Sequence, residues 1–202
     1  MARLEFTGMS AESVKPFLRK RLTPGPGQPA WKIIPAISLA QPWATWIAMG
    51  WKTIETRRHN RLDRIIGRRI AIHASKTWDS SSLDVAGQYL TTAQIQRHGL
   101  MTSRNMYPKG ELVCLATVTS GGPMDQPADA AAALCDFHGG VGYRLAHVEA
   151  LPFGIQMAGT LSISYVELPE LWVEQLPLPF PTNVADFEQI KNGISDLRMR
   201  LA

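Results

Sequence analysis

The chain has 202 residues, 45% of them apolar and 19% charged, enough to bury the core of one domain of ordinary size with extensions at its ends. It contains no run of about 18 consecutive apolar residues, and MARLEFTGMS has no long apolar stretch behind a charged end, so a membrane-spanning helix and a signal peptide are not expected. The formal net charge is +4, and the two cysteines, Cys114 and Cys135, are too few for a disulfide framework and are not spaced as a zinc site, so a soluble cytoplasmic protein without metal or other cofactor is expected.

In chain order, Ala11 to Arg21 predicts a short helix carrying Lys15, Arg19, Lys20 and Arg21. LTPGPGQPA then forbids regular structure and reads as a linker. Residues 1–33 are therefore read as a basic extension and 34–168 as the domain. IPAISLA predicts a buried strand. QPWATWIAMG predicts a short helix with Pro42 in its first turn, Gly50 at its end, and Trp43, Trp46 and Ile47 on one face.

WKTIETRR and GRRIAIHASK alternate as strands, with Gly67 marking the turn before the second. Two helical pieces are expected between Trp78 and Gly99, with Thr91 or Thr92 as an N-cap. The turn Tyr107 to Gly110 introduces the strand ELVCLATVTS, which Gly121, Gly122 and Pro123 should close. ADAAAALCDF reads as a helix containing Cys135, and HGGVG as a break. YRLAHVEALP and GTLSISYVEL predict two more strands. Residues 169–202 read as a proline-rich segment, to Pro181, and an amphipathic helix suited to contact with a protein partner. Short strands and helices without regular alternation predict an α+β fold built on a small mixed β-barrel.

Charge is unevenly placed. Arg57, Arg58, Arg61, Arg64, Arg68 and Arg69 lie within thirteen residues, with Asp63 the one acid among them. Such a cluster attracts polyanions, because neutralising phosphates releases condensed counterions. RNA or DNA is therefore the expected partner. Just before it, Thr53, Glu55 and Arg57 share a strand face and Lys52 sits at the strand entry, a set suited to a polar ligand such as a nucleotide. His59, His73, His98, His138 and His147 are scattered and read as structural or surface residues.

The run S-L-x-Q-P-W-A-x-x-I-x-x-G-x-K-x-x-E-x-R from Ser38 to Arg57 resembles the signature of the ASCH domain, in the PUA-like superfamily. GRRIAIHASK and Tyr107-Pro-Lys-Gly-Glu-Leu resemble two further family segments in the same order. The resemblance implies a PUA-like β-barrel with a positively lined cleft that binds nucleic acid. Gln41, Pro42 and Trp43 would wall that cleft, and Lys52, Glu55, Arg57 and Lys76 would line it. Arg58, Arg61, Arg68, Arg69 and Lys109 would extend the positive surface, and Tyr107 or Trp51 would stack a base.

It also implies an alternative: a hydrolase of modified nucleosides or RNA, an amidohydrolase or ribonuclease, working in the same cleft. Similar amidohydrolases use a lysine and a threonine three residues later. Here Lys52 is followed at that spacing by Glu55, and a carboxylate accepting an acyl group would form a reactive anhydride. Lys52 and Glu55 would instead serve as an acid and base pair.

Overall fold

A computed structural model of the protein describes residues 31–99, 104–105, 107–135 and 139–174. The expected N-terminal helix, the linker, the basic quartet at Lys15 to Arg21, His138 and the C-terminal helix lie outside the described residues. The elements are β1 (Trp31–Gln41), α1 (Trp43–Ala48), β2 (Ile54–Arg57), a 3₁₀ turn (Asp63–Ile65), β3 (Arg69–Trp78), α2 (Ser82–Ala86) and α3 (Thr92–Gly99). They continue with β4 (Glu111–Pro123), α4 (Pro127–Ala133), β5 (Val141–Gln156), β6 (Ser164–Pro169) and α5 (Glu170–Glu174).

The six strands form one mixed sheet in the order β2-β5-β4-β3-β1-β6. It curls into a half-barrel with short helices around it. β1 and β3 are parallel, with Ser38 beside His73 in register, and the other pairs are antiparallel. Parallel pairing requires a crossover, and α1, β2 and the 3₁₀ turn supply it. This crossover brings the motif run from Ser38 to Arg57 into one compact unit.

The continuous apolar character of IPAISLA follows from burial on both faces. One face carries Ile37 and Leu39 into a core with Ile47, Ile70, Ile72, Val118 and Tyr143. The other carries Ala36 against Ala71, Leu115, Leu168 and Val173. A third cluster joins Trp46, Ala86 and Leu134, with Trp43 and Trp51 packed against it. Among the described residues, no helix is long and apolar enough to cross a membrane.

Several expectations are corrected. Gly121, Gly122 and Pro123 do not close β4 but continue it, pairing with Tyr143, Gly142 and Val141. The reason is local: a Cβ on Gly121 would lie 2.8 Å from the Tyr143 ring, so the glycine lets an aromatic side chain cross its own backbone. The helix at ADAAAALCDF ends at Ala133, where Leu134 turns left-handed at φ 54°, and Cys135 lies beyond it. β5 runs from Val141, inside the expected break, while β6 starts only at Ser164 and leaves residues 159–163 as a loop. Trp31 pairs with Pro169, and Val173 of α5 is buried, so residues on both sides of 34–168 belong to the sheet and its cover.

Candidate functional site

The site begins where α1 hands the chain to β2. Gln41 sits at the end of β1 with no exposed surface, and its Oε1 accepts from the Thr45 backbone N–H at 3.2 Å and from Thr45 Oγ1 at 3.0 Å. It thereby satisfies a donor in the first turn of α1, which has no capping side chain at Pro42. Its Nε2 donates to the Pro108 carbonyl at 2.7 Å and ties α1 to the turn before β4. At the other end, Gly50 has a φ of 70°, and the Trp46 carbonyl accepts from both Trp51 and Lys52, which reverses the chain.

That reversal drives Lys52 inward, to 2% exposure. Its Nζ donates to the Ala133 carbonyl at 2.8 Å, lies 3.8 Å from Glu55 Oε2, and stands 5.2 Å from the centroid of the Trp43 ring. Burial lowers its pKa below the ordinary lysine value, and the Glu55 carboxylate works in the opposite direction. Glu55 is 5% exposed, and its Oε1 lies 3.2 Å from Arg57 Nε. That contact is ionic, because its angle falls outside hydrogen-bond geometry. Arg57 is partly exposed, and its Nη2 reaches the Ser38 carbonyl at 3.5 Å. Lys52, Glu55 and Arg57 therefore form a chain of charges leading from the interior outward.

At its outer end is a cavity of about 370 Å³ between β1, the segment after β2, the end of β3 and the loop 159–163. Its cations are Arg57 and Arg61, His59 adds an imidazole, and Ser38, Ser75 and Thr160 add hydroxyls. His59 Nδ1 accepts the Arg61 backbone N–H at 3.3 Å, which orients its ring. Lys52, Glu55 and Gln41 do not line this cavity. Of the residues expected in the cleft, Arg57 and Arg61 are the ones the fold brings together there.

The others are dispersed. Trp43 Nε1 donates to Asp79 Oδ2 at 2.8 Å, and its ring meets Trp46 edge-on at 5.1 Å. Burial opposes the Asp79 charge, but hydrogen bonds from Trp43 and Ser81 outweigh it and hold the carboxyl below the usual range. Arg69 donates to the Glu149 carboxylate and to the His147 carbonyl, and is committed to joining β3 to β5. Tyr107 is 3% exposed against Trp78, and burial raises its hydroxyl to about 12, so it is a packing residue and not an open stacking platform. Trp51 is half-buried in the third cluster. Arg58, Arg64, Arg68 and Lys76 are exposed, and Lys109 is half-buried.

His59 and Ser38 line the cavity and His73 lies against Ser38, and sequence reasoning assigned none of the three to a binding site. The signal for two of them was present: Ser38 and His73 are isolated polar residues within the apolar strands IPAISLA and RIAIHA, and the fold half-buries Ser38 and buries His73. Among the described residues no cluster of three or more His, Cys, Asp or Glu has the geometry to hold a metal ion.

No family model and no curated protein matches this chain. Among solved structures, an ASCH protein from Zymomonas mobilis is 14% identical, with a TM-score of 0.42 over 78% of this chain and 93% of that one. A single-site variant of the same protein is 12% identical, with a TM-score of 0.40 over 78% and 94%. A second variant is 13% identical, with a TM-score of 0.38 over 78% and 96%. The described chain is a mixed sheet curled into a half-barrel, with the motif run Ser38 to Arg57 laid along β1, α1 and β2.

Proposed function

We propose that the protein binds RNA or DNA, with phosphates held by Arg57, Arg61 and the exposed Arg58 and Arg68, and one nucleotide entering the cavity beside His59. The observation that carries this reading is a cavity of one-nucleotide scale lined by two arginines, one of them backed by the buried Glu55 carboxylate. A guanidinium fixed by a neighbour presents its planar fork to a phosphate with less ordering cost than a free side chain.

Binding of labelled single-stranded RNA and double-stranded DNA across a salt series tests it. Affinity should fall steeply with salt, and Arg61→Gln should weaken binding to all sequences and reduce the salt slope by about one. Affinity unaffected by salt, or by the double variant Arg57→Gln with Arg61→Gln, would remove this surface from the function. The alternative of a hydrolase with Lys52 and Glu55 as its reacting pair has less support, since both are buried behind the cavity and each already has a partner. Their position suits them to holding Arg57.

A further inference from the structure

We propose that Ser38, in the wall of the Arg57 and Arg61 cavity, and His73, packed behind it, form a nucleophile and general-base pair acting on a phosphate ester bound there. The parallel register of β1 and β3 sets the two residues side by side, and Ser38 Oγ lies 3.0 Å from His73 Nδ1, within the reach that proton transfer requires. Ser38 lines the cavity. The Thr160 backbone N–H donates to Ser38 Oγ at 3.1 Å, occupying one lone pair and leaving the hydroxyl proton to be given to Nδ1.

His73 is 1% exposed, and burial favours its neutral, proton-accepting ring. The backbone acceptors of Met157 and Gly110 work the other way and would steady the imidazolium once it forms. Nδ1 faces Ser38 Oγ, which leaves Nε2 as the nitrogen turned away from the cavity. The loop approaches the pair at Gly159, where a Cβ would lie 2.8 Å from His73 Cε1 and 3.4 Å from Ser38 Oγ. Arg57, beside the Ser38 carbonyl, and Arg61 favour an anionic substrate over a neutral ester.

In the reaction, the Ser38 hydroxyl proton passes to His73 Nδ1 as Oγ bonds to phosphorus. The P–O bond to the leaving alkoxide breaks, and the imidazolium returns the proton to that oxygen. Water, deprotonated by His73, then attacks phosphorus, the Oγ–P bond breaks, and the imidazolium gives its proton to the departing Oγ, which releases the phosphate and restores both side chains. This chemistry goes beyond nucleic-acid binding and shares the cavity and its arginines with it.

The test treats the full chain with an alkyl phosphonofluoridate, whose fluoride leaves on attack, and locates the adduct by peptide mass spectrometry. Turnover of bis(4-nitrophenyl) phosphate is followed alongside. The expected result is one adduct, on Ser38, absent in Ser38→Ala. In His73→Gln, labelling and turnover should both slow by about 100-fold or more. Ser38→Cys, alkylated with iodoacetamide at a rate that drops when His73 is also replaced, covers the case in which Ser38→Ala does not fold. No adduct on Ser38, labelling indifferent to His73, or labelling without phosphodiester turnover would overturn the proposal. Salt-dependent RNA binding that persists in Ser38→Ala and Ser38→Cys would show that such a failure belongs to the chemistry and not to the binding surface.

Discussion

At the residue scale, the central feature is a lysine taken out of water. Burial lowers the Lys52 pKa from its usual 10.5, so between the lowered value and 10.5 the unfolded chain binds more protons than the folded one. Stability contributed by this group therefore rises with pH across that window. Lys52→Met, which fills similar space without the charge, should lack this rise, as read from urea midpoints at successive pH values. Tyr143 gives the opposite sign. Burial, reinforced by donation to Asp63 Oδ1 at 2.7 Å, raises its hydroxyl from 10.0 to about 12. The unfolded chain thus loses this proton first, and stability is lost as pH rises from 10 to about 12. Tyr143→Phe should cost about 1 kcal/mol at neutral pH and remove that alkaline loss.

Element by element, short-range patterns located the strands and helices well, because alternation and capping are local properties. Thr91 behaves as a cap should: its Oγ1 accepts the Gln94 N–H at 3.2 Å, while Gln94 Oε1 accepts the Thr91 N–H at 2.7 Å. The glycine signals misled at the end of β4, since Gly121 answers to a ring on the neighbouring strand and not to a turn. Gly121→Val should push against the buried Tyr143 ring and destabilise the β4–β5 ladder by about 1–3 kcal/mol, measurable by thermal unfolding. If the variant is as stable as the parent, the close approach of ring and backbone is not a constraint.

Over the whole molecule, stability depends on residues that read as tail. Lys32 Nζ pairs with Glu174 Oε1 at 2.6 Å, and although this exposed pair is worth little, Val173 beside it is 8% exposed in the second core. A chain ended at Leu168 should lose about 1.5–3 kcal/mol from that burial alone. An unchanged urea midpoint in the shortened protein would show α5 to be dispensable.

The sequence by itself determined the α+β character, the order and approximate place of most strands and helices, the ASCH-like motif run and the basic segment after Arg57. These rest on periodicity, capping, composition and charge, each readable within a few residues. Tertiary structure alone decided which charged groups meet. A strand pattern puts Glu55 and Arg57 on one face, but only packing under α1 and α4 buries Lys52 and Glu55 and leaves Arg57 at the cavity. Ser38 and His73 are 35 residues apart and become neighbours only through the parallel β1–β3 register. Register depends on where two strands settle against a shared core, a long-range balance of burial that no local window of sequence contains.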